Sequence, residues 1–351
     1  MKILNKYGWE NYISKTGYSG SIENIGRITS VKGNLFEIAT EKGILKAELL
    51  GRLLYAYEKW EQPKAGDWIR FIDYGETALI EDVLPRFNYL YRKTAGKETG
   101  KQVMVANADK AVIIQGLDND FNLKRLERYI VQSITCNVEP VIILNKSDLV
   151  DDINKYTGEI KRLQRDLTVF SCSLKTGDGL DEIKNDVFIP GTTNVLMGSS
   201  GVGKSSLINY LSNNNRRVNE ISDSTGKGKH TTTTRDLFLL DNGAIVIDTP
   251  GMREFGVEFE DESSFEDQFP AISKFAGKCK FKDCSHVHEE GCNVIKALEK
   301  GELESVVYES YLKLLKEQKH FQTSLQDKKK QGKQFGKMVR EVKEYRRRFK
   351  Y

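Results

Sequence analysis

The apolar run Asn194-Val195-Leu196-Met197 leads into Gly198-Ser199-Ser200-Gly201-Val202-Gly203-Lys204-Ser205, and the helical sequence Ser206-Leu207-Ile208-Asn209-Tyr210-Leu211 follows. A full G-x-x-x-x-G-K-[ST] match set between a strand and a helix leaves few folds open, because it places a backbone-lined anion cradle at the edge of a parallel sheet. The glycines let successive N–H groups converge on a phosphate. Lys204 supplies a point charge to the β- and γ-phosphates, and the Ser205 hydroxyl is placed to coordinate Mg²⁺.

Asn145-Lys146-Ser147-Asp148 closes a second apolar run, Val141-Ile142-Ile143-Leu144, which puts it at the carboxyl edge of the same kind of sheet. A carboxylate there accepts from N1–H and the 2-amino group of guanine, two donors that adenine lacks, so Asp148 selects GTP over ATP. Asn145 and Lys146 brace the loop and cover the base. Ser173-Leu174-Lys175 resembles the S-A-K element that meets guanine O6, with Leu174 in place of the usual Ala. Asp248-Thr249-Pro250-Gly251 ends the strand 244–247 and matches D-x-x-G, so Asp248 reaches Mg²⁺ through water and the Gly251 amide meets the γ-phosphate. The expected nucleotide contacts are Asn145 to Asp148, Ser173, Gly198 to Ser206, Asp248 and Gly251. One of Thr232, Thr233 and Thr234, in the stretch Gly228-Lys229-His230-Thr231-Thr232-Thr233-Thr234, should bind Mg²⁺ and the γ-phosphate. The sequence does not distinguish the three, and Thr233 is the candidate.

The order of these elements is unusual. A standard G domain runs P-loop, switch threonine, D-x-x-G, N-K-x-D, S-A-K, whereas here the last two precede the P-loop. With all five present, circular permutation of one fold is the simplest account. Met252 stands where many GTPases carry a water-orienting glutamine. Intrinsic hydrolysis is therefore expected to be slow and partner-stimulated; the catalytic candidates are Lys204 and His230, which stands beside the switch threonines and would replace the glutamine.

Residues 1–100 read differently. Short branched and aromatic stretches such as Leu35-Phe36-Glu37-Ile38 and Trp68-Ile69-Arg70-Phe71-Ile72 alternate with Gly and polar turns. About five strands at this spacing fit a small OB-like barrel, a shape that often binds RNA. Arg86, Arg92 and Lys93, interleaved with Tyr89 and Tyr91, lean the same way. From Lys328 to Tyr351 the chain holds eleven Lys or Arg residues against Glu341 and Glu344, a tail suited to a polyanion although the net charge is only +4.

Three of the five cysteines fall in Cys279-x₄-Cys284-x-His286-x₅-Cys292. Three thiolates and one imidazole complete a tetrahedral Zn²⁺ shell with no open position, so the metal would be structural. This usage points to a reducing compartment, and Cys136 and Cys172 read as small buried residues. No uncharged apolar run reaches the roughly 18 residues of a membrane span, and the N-terminus does not read as a secretory signal.

Taken together, the barrel, the permuted motifs and the Cys/His spacing resemble the bacterial ribosome small-subunit-dependent GTPase A family over nearly the whole chain. That resemblance implies a late-acting assembly factor of the small ribosomal subunit, whose GTP hydrolysis that subunit stimulates. It also implies that the barrel and zinc segment grip ribosomal RNA. The expected fold is multidomain: an N-terminal OB-like β-barrel with an extension (1–100), a circularly permuted α/β P-loop GTPase domain (101–257), and a zinc-binding segment with a basic helical tail (258–351). The expected cofactors are GTP, Mg²⁺ and one Zn²⁺, in a cytoplasmic monomer. The competing readings are an RNA-binding module that uses GTP as a passive switch, and a GTPase acting on another RNA.

Overall fold

The computed structural model of the chain describes residues 2–51, 53, 57–58, 60–93, 101–212, 235–249 and 262–316. His230, the switch threonines including Thr233, Gly251, Met252 and the basic tail lie outside these residues. The described residues up to Thr249 form one compact unit and those from 262 a second.

In the first unit, β1 (Ile25–Lys32), β2 (Leu35–Thr40), β3 (Gly43–Leu49), β4 (Trp68–Asp73) and β5 (Thr77–Val83) close on themselves in the order β1-β2-β3-β5-β4-β1. Only β3 and β5 run parallel. Closure follows from alternation: Phe36 and Ile38 on β2, Ile69 and Phe71 on β4, and Ala78 and Ile80 on β5 all face one core. This is the five-stranded OB topology expected from the strand spacing. Helices α1 (Lys2–Lys6) and α2 (Trp9–Thr16), not foreseen from sequence, pack Leu4, Trp9 and Tyr12 against Ile25, Trp68 and Leu84. The Trp9 and Trp68 rings meet edge to face at 4.7 Å.

A hairpin of β6 (Tyr89–Lys93) and β7 (Lys101–Ala106) follows. Its Leu90, Val103 and Val105 join the apolar layer of the next sheet. That sheet contains β8 (Lys110–Gly116), β9 (Glu139–Asn145), β10 (Thr168–Ser171), β11 (Thr193–Met197), β12 (Arg235–Leu239) and β13 (Ile245–Asp248), in the order β10-β9-β8-β11-β13-β12. All pairings are parallel except β12 with β13.

Period-two alternation buries both faces of this sheet. Ile113, Ile142, Leu144, Val195 and Ile247 pack on one side with Leu126 and Ile130 of α3 (Leu123–Thr135) and Ile160 of α4 (Asn154–Lys161). Val112, Ile114, Val141, Ile143, Leu196 and Val246 pack on the other with α5 (Leu180–Asp186) and α6 (Lys204–Leu211). Counted from β11, the sheet order becomes 2-3-1-4-5-6 with only the second strand antiparallel, so the chain has been cut after β13 and rejoined between α5 and β11. The permuted order of motifs thus leaves the three-dimensional sheet intact.

The barrel is tied to this sheet twice. β1 pairs with β12 through Ser30↔Asp236 and Val31↔Arg235, which makes one continuous eleven-stranded sheet. Beneath that junction the fully buried Arg27 donates to the carbonyls of Tyr7, Gly66 (3.3 Å) and Asn107 (3.3 Å) and to Thr193 Oγ1 (2.9 Å). Burial lowers its guanidinium pKa to about 10.

The second unit contains α7 (Glu262–Asp267), α8 (Pro270–Ala276), α9 (Asn293–Glu299) and α10 (305–316). Phe265, Phe269 and Tyr311 form its aromatic core, with ring centroids 5.2–5.4 Å apart. Among the described residues no helix is long and apolar enough to cross a membrane.

Candidate functional site

The P-loop leaves β11 at the carboxyl edge of the sheet, where β13 runs to one side and β8 to the other. Gly198, Gly201 and Gly203 have φ of 141°, 81° and 108°, a region that favours glycine. Space enforces two of them. A Cβ on Gly198 would stand 2.4 Å from the Ile114 carbonyl oxygen, and one on Gly203 would stand 2.4 Å from Asn145 Nδ2. Such a bare-backbone concavity at the start of α6 suits a phosphate. Lys204 Nζ donates to the carbonyls of Gly198 (2.8 Å) and Ser199 (2.6 Å), spanning the loop's mouth. Val202 is buried, while Ser200, Ser205 and Ser206 are exposed on the loop and the first turn of α6.

Asn145 ends β9 and is buried between two loops. Its amide donates to the Val202 carbonyl at 2.8 Å, and its Oδ1 accepts from Leu174 N at 3.2 Å. Thus N-K-x-D, P-loop and S-x-K elements converge despite their scattered order, and Leu174 fits the third loop. Ser147 N donates to the Cys172 carbonyl (3.0 Å), and Ser173 Oγ donates to Asp148 Oδ1 (2.6 Å). That hydroxyl contact holds the Asp148 carboxyl below its ordinary pKa, aided by the Lys175 charge, so it is an acceptor at neutral pH. A cleft of about 450 Å³ opens between Asn145, Lys146, Asp148 and Leu174 on one side and Gly201, Gly203 and Ser206 on the other.

Asp248 ends β13. Burial raises its carboxyl pKa, with the charge of Lys204 opposing the rise. Its Oδ1 is buried and has no hydrogen-bond partner among the described residues. An orphaned carboxylate oxygen near a cationic lysine suits a hydrated divalent cation, so the residues present fit Mg²⁺. Thr249, whose part the sequence did not reveal, donates from Oγ1 to the Leu196 carbonyl (2.8 Å) and ties the start of D-x-x-G to the P-loop strand. Sequence reading also missed Asp118 and Asp120, which follow β8. Asp118 accepts from Lys146 Nζ (2.6 Å), and Asp120 accepts from the Ser199 hydroxyl. Two carboxylates directly after an apolar strand were the available signal.

In the second unit, the donor atoms of Cys279, Cys284, His286 and Cys292 all lie within 4.8 Å of one another. Cys279 Sγ stands 3.6 Å from His286 Nδ1 and 3.8 Å from Cys292 Sγ, and His286 Nδ1 stands 3.4 Å from Cys292 Sγ. Tetrahedral Zn²⁺, with bonds of about 2.3 Å to sulfur and about 2.0 Å to nitrogen, separates its ligands by about 3.5–3.8 Å. The donor set fits that ion in type and number, and the distances among Cys279, His286 and Cys292 match its spacing. His288, the alternative imidazole, is exposed. Behind the cluster, His286 Nε2 meets Glu266 Oε1 at 3.1 Å, an outer contact with no sequence signal. Cys136 and Cys172 are buried singly, and burial pushes the Cys172 thiol up to about 12.

A family model described as RsgA GTPase matches residues 83–258, half of the chain. A Bacteroides thetaiotaomicron protein described as small ribosomal subunit biogenesis GTPase RsgA 1 is 39% identical over 350 residues, covering 99% of this chain and 98% of its own. The chain belongs to the RsgA GTPase family. RsgA GTPases are hydrolases acting on GTP, for which GTP and Mg²⁺ are the ligands the cleft must hold. An Opitutus terrae relative described as small ribosomal subunit biogenesis GTPase RsgA is 36% identical across 90% of this chain and 89% of its own. The crystal structure of YjeQ from Thermotoga maritima superposes with a TM-score of 0.63 at 27% identity, covering 84% of this chain and 98% of that one. YloQ, described as a circularly permuted GTPase, gives 0.60 at 23% identity over 86% and 98%, and shares the fold.

Proposed function

We propose that this RsgA-family GTPase acts on the small ribosomal subunit during its biogenesis and couples its nucleotide state to binding and release of that particle. The observation that carries the reading is the joining of the barrel to the GTPase sheet. β12, which pairs with β1, lies in sequence between the switch threonines and Asp248. A change at the switches therefore pulls on a strand shared with the barrel.

In this reading the backbone of Gly198 to Ser206 and Lys204 hold the phosphates. Ser205, Thr233 and Asp248 serve Mg²⁺, which when bound neutralises charge on the β- and γ-phosphates. Gly251 meets the γ-phosphate. Asn145 fixes the guanine loop, Lys146 and Ser147 shape it, and Asp148 reads the base edge with Ser173 behind it. Hydrolysis is slow until the particle engages, with His230 positioning the attacking water in the role of the glutamine that Met252 replaces. Cys279, Cys284, His286 and Cys292 hold one structural Zn²⁺. The barrel (1–100), the zinc segment and the basic tail (258–351) grip ribosomal RNA, flanking the GTPase segment (101–257) in a cytoplasmic monomer. Named relatives of similar length support the particle as partner.

The test is GTP turnover with and without small subunits, using large subunits and tRNA as controls. Stimulation by small subunits alone is expected. Turnover that no particle alters would defeat the reading and leave a passive nucleotide-dependent RNA binder. Binding to the particle should also fall steeply with salt, as phosphate contacts release counterions.

A further inference from the structure

We propose that the loop between β8 and α3, residues 117–122, is a third nucleotide-positioning segment, in which Asp118 fixes Lys146 over the cleft and Asp120 fixes the P-loop. The inference rests on reading the cleft as the GTP site, and it assigns residues outside the recognised motifs.

The register puts this loop where it must be to act. Gly116 pairs with Asn145, and Leu117 N donates to the Asn145 carbonyl at 2.8 Å, so the loop leaves its strand alongside the guanine-reading loop. Asp118 Oδ2 accepts from Lys146 Nζ at 2.6 Å. Lys146 has a left-handed φ of 67° and lines the cleft. A lysine side chain is long and free to rotate, so one that must lie over a base profits from an anchor for its ammonium group. Asp118 is itself oriented, because its Oδ1 accepts from Asp120 N at 3.1 Å. A Cβ at Gly116 would stand 2.8 Å from that oxygen, so the glycine leaves the carboxylate its room.

Asp120 turns the other way. Its Oδ2 accepts from the Ser199 hydroxyl and from Arg125 Nη2 (2.8 Å), and Arg125 belongs to the first turn of α3, where its N–H is capped by Asn122 (2.9 Å). One short loop, rooted in a strand and a capped helix, thus reaches both the base side and the phosphate side of the cleft. Neither carboxylate needs to touch the nucleotide. Asp118 acts through Lys146 and Asp120 through Ser199, so both are positioning residues. Partly exposed ion pairs contribute little to folding stability, so their loss should register in nucleotide affinity rather than in unfolding.

The experiment measures binding of fluorescent GDP and inosine diphosphate to the full chain and to Asp118→Ala, Asp118→Asn, Lys146→Ala and the Asp118→Ala/Lys146→Ala pair, with thermal melts alongside. Asp118→Ala is expected to weaken both nucleotides by about tenfold and by the same factor, since a side chain lying over the base does not read its 2-amino edge. The double variant should bind no worse than Lys146→Ala, because the two residues form one unit. Should Asp118→Ala fail to fold, Asp118→Asn, which keeps the shape and loses the charge, makes the same comparison. Unchanged affinity, a loss confined to GDP, or additive losses in the double variant would each overturn the proposal. Failure of the unaltered protein to bind GDP would instead bring down the reading of the cleft itself, and this inference with it.

Discussion

Asn145 Nδ2 lies 2.8 Å from the Val202 carbonyl oxygen, so a residue of the guanine loop closes a hydrogen bond with the backbone of the phosphate loop. The same amide explains why position 203 must be glycine, since a Cβ there would stand 2.4 Å from that nitrogen. Replacing Asn145 by Ala removes the partner of both the Val202 carbonyl and the Leu174 N–H. Each orphaned group costs about 1–3 kcal/mol unless water reaches it. GDP affinity should therefore fall by about 10- to 100-fold in Asn145→Ala, as measured by titration with fluorescent nucleotide. The secondary structure by circular dichroism should be unchanged.

Asp148 is held by the Ser173 hydroxyl at 2.6 Å and kept ionised by it. Its selectivity is a matter of matching donors to acceptors. In Asp148→Asn the side chain offers an N–H where guanine also presents donors, and that face suits xanthine, which has a carbonyl in place of the 2-amino group. GDP binding should drop by about 100-fold or more while xanthosine diphosphate binding rises. Ser173→Ala should weaken GDP by only about tenfold and keep the guanine preference, because the reader is loosened rather than changed. Competition assays with the two diphosphates check both outcomes.

How much of this was legible in the sequence follows from the range of the interactions. The P-loop, Asn145-Lys146-Ser147-Asp148 and Asp248 were readable because each motif sits directly after an apolar strand, and the chemistry of a phosphate or guanine site dictates residue type locally. The barrel was readable through period-two alternation around one core, as in Phe36 and Ile38. Partners that meet only in space gave no such signal. Glu266 lies twenty residues from His286, and Arg27 reaches Thr193 across the barrel junction. Helices α1 and α2 escaped notice because two short helices carry too few apolar positions to show a period, and what fixes them is the contact of Trp9 and Tyr12 with Trp68.

Asp248 illustrates a conflict between stability and function. Its carboxyl pKa is raised by burial, with Lys204 only partly offsetting the cost of the charge. For a carboxyl whose folded pKa lies above its unfolded value, the folded state binds the proton more tightly. Its ionisation therefore destabilises the fold as pH climbs from the unfolded value through the folded one. Above the ordinary carboxylate range the nucleotide-free protein carries that penalty. Asp248→Asn should raise Tm at pH 7 by about 1–3 °C, with the gain vanishing below the ordinary carboxylate range. The same variant should lose Mg²⁺-dependent GTP turnover by about 100-fold or more, since a neutral amide holds hydrated Mg²⁺ poorly. Calorimetric melts from pH 3 to 8 beside turnover assays test both halves.

The Cys/His cluster offers the last test, and it turns on Glu266. His286 presents Nδ1 to the thiols and Nε2 to Glu266 Oε1 at 3.1 Å, so the carboxylate fixes both the tautomer and the plane of the ring. Tyr311 Oη also approaches that oxygen, at 3.4 Å, and Tyr308 Oη donates to the His286 carbonyl at 2.6 Å. The ring is thus oriented from the aromatic core of the second unit, while Glu289 secures the other side of the knuckle by accepting from Val287 N at 3.0 Å. If the cluster holds Zn²⁺, Glu266→Gln keeps a side chain of the same shape but removes the charge that strengthens the imidazole as a ligand. Zinc affinity should fall by about 10- to 100-fold, as measured by competition with a chromogenic chelator, while the metal-loaded variant remains folded. Cys292→Ser, which removes a ligand outright, should lose the metal and lower Tm as well, because metal binding and folding of such a segment are one process. Equal zinc retention in Glu266→Gln and the unaltered chain would mean that the carboxylate serves only the packing around Tyr311.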